Sequence, residues 1–259
     1  MKKRIVVFGC ILFIVLLFSG CIQKPAQSAN DAKLFKELSN KISVLLSKES
    51  FKLKSVEKLQ MLNSGIKAME PIEARAYFFK NKNNIKILRE TPFGNLVLYR
   101  WDNNLVVCYT LDGNSSCIKA DKEQQKEFDN AINTLFTSAD KQILEFLKQK
   151  RTDTNTDIKI EDLFFIKKMK TTKINNRECS LFNLKPNYEK LTKILSEDFN
   201  ELYVDVNTCI DNELGISLIT DSVYIGPNFA VKHSVTTSYV PECSREEVVP
   251  SAELLKSIG

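Results

Sequence analysis

Apolar residues recur at two different spacings along this chain, and the spacing changes several times. Over residues 31–47 they fall at steps of three and four, which predicts one face of an amphipathic helix with Asn30 or Asp31 as its N-cap. The same spacing returns over residues 121–150 in a stretch without Gly or Pro. There we expect one long helix or two end to end, with a weak point near residues 137–138.

Shorter segments in which apolar and polar residues alternate predict β-strands. In the first half we expect strands over residues 72–78, 85–88, 95–101 and 105–109. In the second half we expect strands over residues 158–173, 178–184, 202–210, 216–223 and 229–239, with short helices over residues 188–195 and 252–258. Consecutive short strands joined by tight turns favour an antiparallel meander.

The first 21 residues carry an export signal. A basic start, Met1-Lys-Lys-Arg, precedes an apolar run over residues 5–18 that is short for the ~20 residues of a membrane span. The small residues before Cys21 resemble a lipobox, where exported lipoproteins are cleaved and lipidated. We therefore predict a signal peptide over residues 1–20, a lipidated Cys21 and a tether over residues 21–30. The alternative is an uncleaved signal anchor, and both place the body at the exterior face of the cell membrane.

Composition narrows the class of protein. The chain is 43% hydrophobic and 27% charged, which is ordinary for a globular protein. Its formal charge of +5 falls to +2 without Lys2, Lys3 and Arg4, which leave 34 basic residues against 32 acidic ones. A nearly neutral body disfavours nucleic-acid binding through phosphate contacts.

Five cysteines follow Cys21, and exported proteins can keep disulfides. Cys108 and Cys117 are equally far from Asp112-Gly113, so a two-residue turn there makes them a non-hydrogen-bonded pair with Cα atoms ~4.5 Å apart. We predict a disulfide between them, the alternative being two buried thiols. Two pairings stay open for the other cysteines, Cys179 with Cys209 and Cys209 with Cys243.

The sequence contains few groups suited to catalysis. The single histidine, His233, shares a strand face with apolar neighbours, which is typical of a hydrogen-bonded histidine on a half-buried sheet. The Gly-x-Ser-x-Gly, His-Glu-x-x-His, phosphate-loop and Cys-x-x-Cys patterns do not occur. We therefore expect no enzyme, no cofactor and no metal site.

Three segments together resemble a known class of proteins: AYFFKNKNNIK (residues 76–86), WDNNLVVCY (residues 101–109) with Cys117, and CIDNELG (residues 209–215). With the lipobox-like start, they resemble exported lipoproteins, many of them archaeal, whose strand order is similar to that of the LolA/LppX-type lipoprotein carriers. The resemblance covers roughly residues 51–240. It implies an incompletely closed antiparallel half-barrel with helices over its concave apolar face, where such folds often hold an acyl chain or another lipid.

The expected protein is therefore a single α+β domain over residues 31–259, in which a curved antiparallel sheet (an incomplete barrel) is covered by helices on its concave face. Leu135, Phe136 and Ile143 are the candidates for lining an apolar cavity between these layers, the alternative being a core that they fill. The expected function is binding or carrying a lipid or another hydrophobic ligand from a membrane anchor. The alternative is a tethered structural or interaction module of the cell envelope, with partner proteins that the sequence does not identify.

Overall fold

A computed structural model describes residues 29–62, 70–137, 159–195 and 202–258. Within these residues, eleven strands form one curved, open, antiparallel sheet in the order β6-β5-β4-β3-β2-β1-β11-β10-β9-β8-β7. The strands are β1 (Ser50–Met61), β2 (Ile72–Asn81), β3 (Asn84–Thr91), β4 (Gly94–Trp101), β5 (Asn104–Leu111), β6 (Asn114–Lys119), β7 (Phe164–Ile174), β8 (Arg177–Pro186), β9 (Tyr203–Asp211), β10 (Ser217–Gly226) and β11 (Phe229–Val240). The helices are α1 (Ala29–Asn40), α2 (Ser43–Ser47), α3 (Lys122–Leu135), α4 (Ile160–Leu163), α5 (Tyr188–Leu195), α6 (Arg245–Val248) and α7 (Ala252–Ile258).

Two meanders meet at the centre of this sheet, where the first strand pairs with the last. Residues of β1 from Lys52 to Met61 lie opposite residues of β11 from Val240 to Val231. Strands β6 and β7 form the two outer edges. The predicted fold class, a curved antiparallel sheet that does not close and carries helices, is confirmed.

Tight turns set the register of the hairpins. Asp112 and Gly113 both have positive φ, 50° and 79°, as do Asn175 and Asn176, at 50° and 63°. Two successive residues with positive φ are characteristic of the type I′ turn, whose twist matches that of paired strands. The register predicted for the β5–β6 hairpin is confirmed, since Cys108 lies opposite Cys117.

Helices pack on one side of the sheet, which we call the concave face, and form two cores there. The first core joins α1 to β8 and β9, with the ring of Phe35 edge-on to that of Phe182 at 5.2 Å. The second core joins α2 and α3 to strands β1–β5, with the ring of Phe136 5.0 Å from that of Phe78. Each of these helices thus buries its apolar stripe against the sheet, and the second core also takes in Cys179, Cys209 and Leu218 from β8, β9 and β10.

The junction of α1 and α2 rests on the β9–β10 turn. Gly215 has a φ of +70°, and a Cβ atom there would lie 2.4 Å from the carbonyl oxygen of Leu38 and 2.7 Å from the backbone nitrogen of Ile42. Only glycine fits this close approach of two backbones.

Helix α3 begins and ends where its sequence dictates. The Asp121 side chain accepts a hydrogen bond from the Gln124 backbone N–H (2.9 Å), and the Gln124 side chain accepts one from the Asp121 N–H (3.0 Å). This capping box starts the helix. The helix ends at Leu135, close to the predicted weak point, and the rest of the predicted helix to residue 150 extends beyond the described residues.

Several predicted boundaries are wrong. The helix expected over residues 31–47 is divided by a turn into α1 and α2, and it begins at Ala29, so Asn30 and Asp31 lie in its first turn instead of at its N-cap. The strand expected from residue 158 starts only at Phe164, because Asp162 accepts a hydrogen bond from the backbone of Lys159 and the intervening residues form α4. Strand β1 and helix α6 were not predicted.

The C-terminal segment lies on the opposite, convex face of the sheet. The Lys52 ammonium is 2.6 Å from a carboxylate oxygen of Glu247 on α6, and the Asn81 side chain donates a hydrogen bond to the carbonyl of Cys243. Val248 is fully buried there. Among the helices that the structure describes, none has the length and apolar character required to span a membrane.

Candidate functional site

Directly opposed residues in a sheet point to the same face, so the strand pairing identifies the concave side chains between the two cores. Across β2, β3, β4 and β5, one row of opposed residues is Ala76, Arg89, Leu96 and Tyr109. The adjacent row on β3, β4 and β5 is Thr91, Gly94 and Leu111. These rows lie toward the end of the sheet opposite α2.

Apolar side chains on these rows are exposed instead of packed. Tyr109 is 42% exposed and Leu111 53%. Ile118 on β6, which lies opposite Val107 in the next concave row, is 44% exposed. With Leu96, and with Phe93 in the β3–β4 turn, they form what we call the apolar patch. A groove of about 280 Å³ runs over this patch, bounded by Arg89, Leu96, Tyr109, Leu111 and their neighbours. An exposed apolar surface of this kind usually marks a site for a ligand or partner.

Three ionisable side chains meet at the inner end of the patch, and we call them the polar cluster: Glu57, Arg89 and His233. The Nε2 atom of His233 is 2.8 Å from Oε1 of Glu57, and Nη2 of Arg89 is 3.6 Å from Oε2 of Glu57. The side chains are 19% exposed for Glu57, 14% for His233 and 30% for Arg89.

Small side chains make this meeting possible. Glu57 on β1 and Arg89 on β3 are separated by β2, whose concave positions between them are Ala74 and Ala76. Two alanines leave room for the longer side chains to approach each other above the strand. Glu57 Oε2 is buried and accepts no hydrogen bond from the residues that the structure describes.

Hydroxyl groups lie beside this cluster on the concave face, and together with the cluster they form what we call the polar strip. Ser55 and Thr237 are hydrogen-bonded across β1 and β11 at 3.0 Å, and Thr208 bonds to Ser217 at 2.8 Å and to Thr220 at 3.0 Å. A polar strip therefore crosses the concave face between the two cores.

A second groove, of about 610 Å³, lies at the opposite end of the sheet, between its turns and α3. Its lining is mostly polar and includes Lys80 and Arg100, the latter held by Asp129 through two hydrogen bonds of 3.0 and 3.2 Å. Burial lowers the pKa of the Lys80 ammonium, which donates a hydrogen bond to the carbonyl of Lys48.

Four cysteines form two pairs at disulfide distance. The Cα atoms of Cys108 and Cys117 are 4.1 Å apart, and those of Cys179 and Cys209 are 5.5 Å apart. Of the two pairings left open by the sequence, the structure thus brings Cys179 to Cys209. Cys243 is buried outside any disulfide, and burial raises the pKa of its thiol.

The predicted cavity-lining residues have mixed positions. Phe136 is buried between Phe51 and Phe78, and Leu135 is half-buried against the same core. Neither borders the two grooves above, so their role in a ligand cavity stays a prediction. Ile143 and Cys21 lie outside the described residues.

His233 is half-buried and hydrogen-bonded, as the sequence interpretation expected. Its partner Glu57, and Arg89 on the other side of Glu57, were not singled out, because only the strand register brings them together. Within the described ranges, no group of three or more His, Cys, Asp and Glu side chains is arranged to hold a metal ion.

No family model and no curated protein matches the sequence. Among solved structures, a chain of the Pseudomonas aeruginosa MucA/MucB complex is similar over 87% of this chain, at 9% identity and a TM-score of 0.37. This chain covers 62% of the length of that one. The Mycobacterium tuberculosis lipoprotein LppX is similar over 80% of this chain and 94% of its own, at 8% identity and a TM-score of 0.36. A LolA superfamily protein from Nitrosomonas europaea is similar over 86% of this chain and 99% of its own, at 9% identity and a TM-score of 0.28.

The neighbours include the LolA/LppX type that the sequence resembles. Their TM-scores all lie below 0.5, so the function proposed below depends on the residues of this chain.

Proposed function

We propose that this protein is an exported lipoprotein that binds a lipid or another hydrophobic ligand on the concave face of its sheet. The single observation that carries the proposal is the apolar patch, since Tyr109, Leu111 and Ile118 are all more than two-fifths exposed on the face that elsewhere forms the cores. Covering such side chains with hydrocarbon is favourable by about 25 cal/mol per Å² removed from water.

The groove over the patch supports a small or chain-like ligand. Its volume of about 280 Å³ is near the lower end of ligand sites, which span roughly 300–1,000 Å³. Apolar walls with a few polar groups at one end are the usual composition of such sites. Here Arg89 of the polar cluster, together with Thr91 and Asn95, supplies those groups.

Anchoring through Cys21 is the second part of the proposal. The lipobox-like residues before Cys21 support it, together with the basic and apolar segments that precede them. The tether that the sequence predicts over residues 21–30 would, if it behaves as a random coil, have a root-mean-square length of roughly 17 Å, which keeps the body near the bilayer. A hydrophobic ligand could then pass between membrane and groove over a short distance.

The test compares two isoleucines of equal exposure on opposite faces. Ile118 and Ile225 are both 44% exposed, but strand pairing places Ile118 on the concave face and Ile225 on the convex face. The full chain and its Ile118→Gln and Ile225→Gln variants are purified in mild detergent, and bound lipid is measured by mass spectrometry. We expect lipid with the parent and Ile225→Gln proteins and a reduced amount with Ile118→Gln.

Equal lipid in all three proteins would contradict binding at the patch. If none of the three proteins carries lipid and none binds added lipid, the alternative function is favoured, that of a tethered structural or interaction module of the cell envelope.

A further inference from the structure

The groove beside the apolar patch has a single charged residue in its lining. Of the residues that bound it, Arg89 carries a charge, whereas the others are apolar or neutral, such as Thr91 and Asn95. Arg89 stands in one row with Leu96 and Tyr109, so its guanidinium lies at the inner end of the apolar surface. A ligand lying along the patch therefore has one end next to a positive charge.

Charged side chains on the concave face lower the stability of the fold, which suggests that they have a function in binding. Taking charged groups out of water costs several kcal/mol per ion, and apolar residues at such positions often give equal or better stability. Glu57, Arg89 and His233 nevertheless replace the apolar side chains that fill the concave positions on either side of them. None of the three belongs to either apolar core.

The cluster presents its positive side to the groove. Glu57 is held from two sides, with His233 at one carboxylate oxygen and Arg89 at the other, and it is less exposed than Arg89. Among these three, the group that lines the groove is Arg89. A guanidinium matches the paired oxygens of a carboxylate or phosphate.

We infer that the ligand is an amphiphile with an anionic head group, whose carboxylate or phosphate binds Arg89 while its hydrocarbon chain covers the apolar patch. The inference rests on the proposed function and adds the class of ligand. Glu57 is a positioning residue in this arrangement, because it holds the guanidinium above Ala74 and Ala76.

The experiment uses the full chain reconstituted in phosphatidylcholine vesicles. Three probes carry the same photoreactive alkyl chain: a fatty acid, its uncharged methyl ester and a lysophosphatidic acid. After irradiation, adducts on the peptide containing Tyr109 and Leu111 are quantified by mass spectrometry over a range of probe concentrations. The fatty acid and the lysophosphatidic acid distinguish a carboxylate source from a phosphate source.

We expect half-maximal labelling at roughly tenfold lower concentration for the anionic probes than for the ester, as one charge-assisted hydrogen bond would give. Arg89→Gln should remove this preference, and Arg89→Lys should keep most of it. Arg100→Gln is the matched control, because Arg100 is also a concave arginine but lines the other groove. It should leave the preference unchanged.

Equal labelling by acid and ester in the parent protein, or an unchanged preference in Arg89→Gln, would overturn the inference while leaving lipid binding intact. Labelling of this peptide by none of the probes would instead overturn the proposed function.

Discussion

Substitution of Asp211 tests whether its buried carboxylate stabilises the β8–β9 end of the sheet. Its carboxylate is 1% exposed and accepts hydrogen bonds from Nε and Nη2 of Arg177. It also accepts bonds from the backbone N–H groups of Glu213 (2.9 Å) and Leu214 (2.7 Å) in the β9–β10 turn. One buried carboxylate thus joins a side chain of β8 to a turn.

Replacing Asp211 by asparagine keeps the shape and removes the charge. Breaking a buried ion pair by changing one partner costs about 3–5 kcal/mol. Arg177 keeps a second carboxylate, that of the exposed Glu213 at 3.0 Å, so we expect the lower end, about 3 kcal/mol. For a domain of this size that corresponds to a decrease in Tm of about 6–12 °C.

The loss should also depend on pH. Burial opposes the charge of Asp211 and acts to raise its pKa, but the hydrogen bonds from Arg177 and the two backbone groups outweigh it, so the pKa is lowered. A carboxyl whose pKa is lower in the folded state stabilises fully above its unfolded pKa of about 3.9, and this stabilisation disappears as the pH falls through the folded value. The difference between parent and Asp211→Asn should therefore shrink in acid.

Urea unfolding followed by circular dichroism at several pH values measures this difference. Asp221→Asn is the control, since Asp221 is exposed on the convex face. A loss below about 1 kcal/mol for Asp211→Asn at neutral pH, or a difference that stays constant into acid, would refute the reasoning.

Three further outcomes are expected. Non-reducing peptide mapping should recover Cys108 linked to Cys117, and free thiols from protein kept oxidised would exclude the bond; reducing it should cost about 2–3 kcal/mol. Gly215→Ala should lower the unfolding free energy by more than about 2 kcal/mol, because the added Cβ atom would collide with the Leu38 carbonyl. A change smaller than about 0.5 kcal/mol in urea unfolding would contradict this expectation. Cys21→Ser should remain a precursor or leave the membrane fraction, and metabolic lipid labelling that the substitution does not alter would exclude lipidation.

The spacing of apolar and turn residues predicted those elements whose boundaries are set by residues close to them in sequence. The bounds of α5 and α7, residues 188–195 and 252–258, agree with the spacing of their apolar residues. The Asp112-Gly113 turn predicted which residues face each other across β5 and β6 because a two-residue turn leaves one register.

Strand β1 was missed for a reason connected with the site. Its concave positions begin with Phe51 and Leu53, as a half-buried strand should, but continue with Ser55 and Glu57. The polar strip therefore interrupts the alternation by which strands are recognised. The local pattern thus failed where the strand carries polar instead of apolar side chains on its concave face.

The polar cluster could not be predicted from residue spacing along the chain. Glu57 and Arg89 meet only because β2 lies between their strands with alanines at the intervening positions. Glu57 contacts His233 because β1 pairs with β11, and these two strands are far apart in sequence with no hairpin turn between them to set their register. Sequence spacing cannot supply contacts of this kind.

The pairing of β1 with β11 has a consequence for how the molecule is made. Glu57 and His233 are 176 residues apart in sequence, so the central seam of the sheet closes a very long loop. Contacts of high sequence separation form slowly, whereas the hairpins from β1 to β6 can form as soon as their strands have been synthesised. During that interval the free edge of β1 is exposed to pairing with other chains. The Glu57–His233 contact at the centre of the polar cluster forms only when this last strand arrives, so the cluster is complete only once the whole sheet has assembled.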